Sequence, residues 1–198
     1  MNMKFNLSEI TELIQYRRTI YPEFFSFRKV HKEQIELLLE NARWAPTHKL
    51  TQPWFYKVFM EDGLQTFSDF FSETYKQLTP EDKFSEMKYQ KMKSRVAKSS
   101  AIIVACMKRD EAERVPLVEE LAAANAATQN LLLTATAYGI GVYWGTGGVT
   151  YKNEMKDFLG LKPADQVLGV LFVGYPEGEW PRKTPRKPLE YYTEWVES

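Results

Sequence analysis

The chain has 198 residues, 44% of them hydrophobic and 14% aromatic, and its 26 basic and 26 acidic side chains cancel at neutral pH. That length buries one good-sized core, and that composition excludes disorder and fibrous repeats. A net charge of zero leaves no overall field for nucleic acid or anionic lipid, so any charged partner must be met locally.

The residues up to Ser8 hold no continuous apolar segment of a leader, and no stretch approaches the ~18 apolar residues that span a bilayer. A soluble, cytoplasmic protein is expected, with no nucleic-acid or membrane partner. Ser8 is the expected N-cap of a short helix whose apolar positions Ile10, Leu13 and Ile14 recur at helical spacing. Arg17 and Arg18 follow on that face, so at least one guanidinium should emerge at the inner edge of the helix and need an anion. The alternative is a surface pair whose stems cover the core edge. A second helix is signalled by Ile35, Leu38, Leu39 and Ala42 and stops before Pro46.

The run Ala45-Pro46-Thr47-His48-Lys49-Leu50-Thr51-Gln52-Pro53-Trp54 sets two prolines, several polar side chains and a lysine between this helix and the next strand. Ordinary connectors are rich in Gly, Ser and Asp. This one stiffens its backbone with proline and carries groups able to hold a planar, hydrogen-bonding ligand, so it reads as a binding loop. A strand is expected over residues 55–60, closed by Glu61-Asp62-Gly63. Helices are expected over 64–71 and through the Lys/Glu-rich region 80–98, where apolar anchors are sparse and the segment reads as peripheral, a candidate lid. Residues 100–107 form a near-continuous apolar run typical of a buried central strand. The single cysteine, Cys106, lies inside it, which rules out an internal disulfide and makes it a structural thiol of a reducing compartment.

Pro116 marks the start of an alanine-rich helix over 117–138, with Gly139 as its stop. Nearly every face of that helix is apolar or small, so it must be surrounded, as the spine of the domain or against another chain. A strand or extended turn over 141–145 leads into Thr146-Gly147-Gly148. A short helix over 152–159, stopped by Gly160, precedes the last strand at 167–173 and a basic, proline-stiffened tail over 181–188. No internal repeat or linker interrupts this order, and residues 1–198 read as a single domain.

Four polar clusters stand apart: Arg17-Arg18-Thr19, the loop 46–52, residues 144–148, and the tail around Arg186. Singly, each has an ordinary explanation as a wet helix end, a turn or a solvated tail. Together, arginines and a hydroxyl suit a phosphate, a polar loop suits the edge of a heteroaromatic ring, and small residues let backbone amides approach that ring. No Gly-x-Gly-x-x-Gly follows a strand, no Gly-Lys-Ser/Thr is present, His31 and His48 lack metal-ligand spacing, and no Gly-x-Ser-x-Gly elbow occurs. Covalent catalysis has no candidate, no catalytic side chain or metal ligand is assigned, and any chemistry belongs to a bound cofactor.

These blocks resemble the nitroreductase family of FMN-dependent oxidoreductases over nearly the whole chain. Tyr16-Arg17-Arg18-Thr19 is similar to that family's Arg-Arg-Ser/Thr signature, and Ala45-Pro46-Thr47 with Gln52-Pro53-Trp54 to its Ala-Pro-Ser/Thr…Gln-Pro-Trp loop. Gly139-Ile140-Gly141 with Trp144, then Gly174-Tyr175-Pro176 with Arg186-Lys187-Pro188-Leu189-Glu190, follow in the family's order. His48-Lys49 also resembles the small YdjA-like branch, whereas the Arg-Lys-Pro-Leu tail is closer to other branches.

The resemblance implies an α+β fold with a mainly antiparallel sheet flanked by helices, and a homodimer holding FMN at the subunit interface, with the alanine-rich helix packed on the partner. It implies that Arg17, Arg18 and Thr19 hold the phosphate and ribityl chain with help from Arg186. Pro46, Thr47, His48 and Gln52 would lie along the ring, and Trp144, Gly145, Thr146 and Gly147 would line its other side. His48 is then the side chain placed to tune the flavin, with Lys49 as a source of positive charge. Leu50 departs from the pattern, since many relatives carry Asn there. The implied activity is hydride transfer from NADH or NADPH through flavin N5 to a small electron-poor acceptor, a nitroaromatic or a quinone, in ping-pong order. The alternatives are a flavin carrier or redox sensor without rapid NAD(P)H turnover and, from a third class, a ligand-free helical interaction module.

Overall fold

The computed structural model describes residues 5–197. A four-stranded sheet runs β1 (Trp54–Phe59), β2 (Ala101–Met107), β4 (Gln166–Gly174), β3 (Gly141–Gly145) from edge to edge, with every neighbouring pair antiparallel. The central strands explain the apolar runs: all seven residues of β2 are buried, because it is covered on both faces and paired on both sides. Ile102, Val104 and Cys106 point to one face, under α3 (Asp62–Leu78), α4 (Glu86–Lys98) and α6 (Asn153–Leu159). Ala101, Ile103 and Ala105 point to the other, under α2 (Lys32–Ala42) and α5 (Leu117–Ala137). The small residues on that second face meet Ala127, Leu131 and Ala135 of α5 and let its backbone come close.

Several boundaries differ from the sequence reading for local reasons. The first helix, α1 (Leu7–Tyr16), is capped by Asn6 rather than Ser8, since the Asn6 Oδ1 accepts from the amides of Ser8 at 3.1 Å and Glu9 at 3.4 Å. α1 buries none of its residues, and it ends at Tyr16, so helical periodicity does not carry Arg17 or Arg18 to an inner face. The strand expected at 55–60 begins one residue earlier, where Trp54 pairs with Met107. The helix expected at 64–71 continues to Leu78, because Phe67, Phe71 and Tyr75 prolong one apolar stripe past the polar Ser72-Glu73-Thr74. The region 80–98 divides into a 3-10 turn at Glu81–Lys83 and α4, whose cap Ser85 accepts from the Lys88 amide at 3.3 Å. α5 is surrounded on one side only within the chain: eight of its residues are buried, while Val118 is 69% exposed.

The register sets what lies where. After α1 the chain runs along the free edge of β3, where Thr19 forms a parallel bridge with Val142 and the Ile20 amide donates to the Val142 carbonyl at 3.1 Å. The loop 46–52 instead feeds the opposite edge strand, β1. Three inter-strand spacings, roughly 14 Å, separate those edges. Among the described residues no helix is long and apolar enough to cross a membrane.

Candidate functional site

The arginines of the first cluster meet the tail. Trp180 donates its indole N–H to the Tyr16 carbonyl at 2.8 Å, and Lys183 Nζ donates to Gln15 Oε1 at 2.8 Å, which folds residues 180–186 over the end of α1. Arg18 Nε donates to the Arg182 carbonyl at 3.0 Å, and its Nη1 donates to the carbonyls of Gln15 and Arg17 at 2.8 and 2.7 Å. Arg17 is half-buried. Its burial, then the charges of Arg18 and Arg186, pull its pKa below the ordinary arginine value. Among the described residues no carboxylate pairs with any of these three guanidiniums. Arg18, Lys183 and Arg186 border a cavity of about 520 Å³ beside Ile14 and Gln15. Like charges held together by backbone acceptors and left without a counter-charge form a receptor for an anion with several oxygens.

The third cluster lies on the same edge. Thr19 bridges Val142, and Gly145 follows three residues along β3, roughly 10 Å away in extended chain. Gly145 and Gly147 line a second cavity with Tyr143, Gly148, Val170 and Phe172. Gly147 has an ordinary φ, and a Cβ built there would meet nothing within 4 Å, so neither backbone nor packing calls for glycine and the space beside it stays open. Trp144 does not join this wall. β3 alternates, so its indole lies on the α2/α5 face, packed over Gly169, with Nε1 donating to the Leu168 carbonyl at 3.1 Å.

The structure does not bring the loop 46–52 to the arginine cluster within one chain. The loop docks on the start of α5: His48 Nδ1 lies 2.5 Å from Glu119 Oε2, and Lys49 Nζ donates to the Arg114 carbonyl at 2.9 Å. Both groups singled out to tune a ligand are therefore engaged by their own chain. Thr47 Oγ1 accepts from the Gln52 amide at 3.0 Å and pairs with Thr51 Oγ1 at 3.3 Å, closing the loop on itself. Pro46 and Gln52 are exposed. Lys49, Leu50 and Gln52 all take positive φ, 50°, 54° and 45°. Asn tolerates that region better than Leu, so the backbone alone would favour Asn at position 50. Cys106 is 1% exposed, and burial, with the Asp165 charge adding to it, pushes its pKa up to about 12, which makes it inert as a nucleophile.

Sequence reasoning missed one group, the cations of α4. Lys88, Lys91 and Arg95 border the Gly145/Gly147 cavity together with Phe71 and Met92. Their spacing of three and four residues was the available signal, but it reads as a wet helix face until α4 is placed beside β3.

Residues 14–175 match the model of the nitroreductase family. A Bacillus subtilis protein named "Putative NAD(P)H nitroreductase YfhC" is 30% identical over 183 residues, 92% of this chain and 91% of that protein. Among solved structures, a nitroreductase-like family protein from Bacillus cereus superposes with a TM-score of 0.80 at 27% identity, covering 100% of both chains. A Desulfovibrio desulfuricans protein, solved in complex with FMN, shares the fold with a TM-score of 0.71 at 23% identity, over 98% of this chain and 99% of its own.

Proposed function

This chain belongs to the nitroreductase family, and from that premise we propose that it is an FMN-dependent oxidoreductase, a homodimer that uses NADH or NADPH to reduce an electron-poor nitroaromatic or quinone. The observation that carries the reading is the uncompensated triad Arg17, Arg18 and Arg186 on the edge of β3, with an open glycine wall three strand residues further on. The cluster fits FMN: the guanidiniums suit a phosphate dianion, Thr19 follows Arg18 in the chain where it bridges the edge of β3, and the roughly 10 Å from there to Gly145 leaves room for a short polyol chain leading to a ring. FMN, when bound, would supply the two-electron redox chemistry between nicotinamide and acceptor.

The residues of this chain position and shield. Arg17, Arg18 and Arg186 hold the phosphate by charge-assisted hydrogen bonds. The backbone of Gly145, Thr146 and Gly147 would hold one side of the ring, and Tyr143 and Phe172 would keep water from the cavity they line. Pro46, Thr47, His48 and Gln52 would meet the same ring from a second copy of the chain, since on one chain they sit at the far edge of the sheet. No side chain has to act as an acid, because solvent can deliver the proton that accompanies reduction.

The test is direct. Purified protein should be yellow or should take up added FMN, and anaerobic NADH or NADPH should bleach it within seconds. Arg17→Ala with Arg18→Ala should weaken FMN binding by at least tenfold. A colourless protein that takes up no FMN overturns the proposal, and bound flavin reduced only over hours points instead to a carrier or sensor.

A further inference from the structure

We propose that the cavity between α4 and β3 selects acceptors that are single-ring aromatic anions, an inference that rests on the flavin reading because it places the acceptor beside the Gly145/Gly147 wall. The cavity measures about 140 Å³. Apolar cavities of that size admit one benzene ring. Its floor is apolar and partly aromatic, from Phe71, Met92, Tyr143, Val170 and Phe172, and the small residues 145, 147 and 148 leave its flavin side open.

Its rim carries the charge. Lys88, Lys91 and Arg95 lie on one face of α4 at the cavity, and among the described residues the carboxylate paired with them is that of Glu23 alone. Glu23 Oε1 accepts from Arg95 Nε at 2.9 Å and lies 2.8 Å from Arg95 Nη2 and 3.2 Å from Lys91 Nζ. Arg95 is thereby fixed, 81% of its side chain withdrawn from solvent and its guanidinium carbon 4.9 Å from the centre of the Tyr143 ring, while its Nη1 has no hydrogen-bond partner among the described residues. Lys88 has no carboxylate partner among the described residues and lies 4.6 Å from the centre of the Tyr75 ring. Three cations against one anion leave a surplus of two positive charges over an apolar floor. A neutral ring gains only the floor. A ring bearing a carboxylate or sulfonate gains both, and a cationic ring meets repulsion where the cavity walls screen little.

For a nitrobenzoate the step balances with the donor that the flavin reading proposes. The nitro group takes the electron pair of one hydride from NAD(P)H, one N–O bond breaks, and the oxygen leaves as water with that hydrogen and one solvent proton, giving the nitroso product.

Two measurements test the inference. In steady-state assays of the FMN-loaded protein, kcat/KM for 4-nitrobenzoate should exceed that for neutral 4-nitrobenzamide by at least tenfold. Lys88→Gln should lower this ratio, and Lys88→Glu should shift preference toward 4-nitrobenzylamine. Titration calorimetry of 4-nitrobenzoate against 4-nitrobenzamide, made on the same protein without nicotinamide, reads the charge preference even if no turnover occurs, so failure of the flavin reading and failure of this one are told apart. Equal affinity and equal kcat/KM for the anion and the amide overturn the inference. So does a Lys88→Gln protein that keeps the ratio but is reduced more slowly by NADPH, because the cations would then serve the donor's phosphates.

Discussion

Leu50 shows how much of a residue's role can lie in its backbone. It is 74% exposed and held at φ 54°, so its side chain contributes little packing while its backbone carries strain. Leu50→Asn should therefore stabilise the flavin-free protein by part of the roughly 1–2 kcal/mol that a left-handed L-residue costs. Urea denaturation without added FMN checks it; an unchanged midpoint, with a change only in flavin affinity, would give an Asn at position 50 a ligand role instead. Asp110 makes a different point. Its carboxylate accepts from Arg114 Nε and Nη2, both at 2.9 Å, and from the Arg114 amide at 3.0 Å, and this holds its pKa down to about 2. An unfolded Asp titrates near 3.9. Because the folded value is the lower one, its contribution is complete above about pH 4 and disappears as pH falls through about 2. Asp110→Asn should destabilise at pH 6 and converge with the parent near pH 2 in thermal melts across that range.

At the scale of elements, the end of β4 shows what register does. The pairing of β2 with β4 shifts between Ala105 and Cys106, so Leu168 falls out of the ladder and its carbonyl is free to accept from Trp144 Nε1. The indole then lies over Gly169, where a built Cβ would come within 1.9 Å of it. Gly169→Ala should cost about 1–3 kcal/mol through overpacking. It should also alter the Trp near-ultraviolet circular dichroism, while an unperturbed spectrum and midpoint would show that Trp144 is not held there. Alternation along β3 turns Trp144 to the face opposite its neighbour Gly145, and the bulge supplies the free carbonyl that holds its indole there. The same lesson holds for α4, whose sparse apolar anchors fitted a peripheral lid. Met92 and Val96 do anchor it, and the polar residues between them become the rim of a cavity.

For the whole molecule, the surface is the argument. Leu189, Tyr191, Tyr192, Trp195 and Val196 on the tail are each more than half exposed, and so are Ile14 of α1 and Val118 of α5. Such a concentration of apolar side chains calls for a second surface. The reading as a dimer predicts a mass of twice 23.1 kDa by light scattering after size exclusion, and FMN at 100 times its Kd should stabilise the folded protein by about 2.7 kcal/mol. A monomer at micromolar concentration would remove the second copy that the loop 46–52 requires.

The sequence by itself determined the order and type of the elements, the buried central strand, the inert cysteine and the residue chemistry suited to an anionic, planar ligand, because 2.0 and 3.6 residue periods and side-chain chemistry are local properties. Which clusters share an edge was decided only in the tertiary structure. Arg17 and Arg18 reach Arg186 through a tail that folds back over some 165 residues of chain, His48 and Lys49 turn to α5, and the α4 cations meet β3. Each of these depends on strand order and register, which follow from how two faces of one sheet are covered and leave no mark in any local pattern.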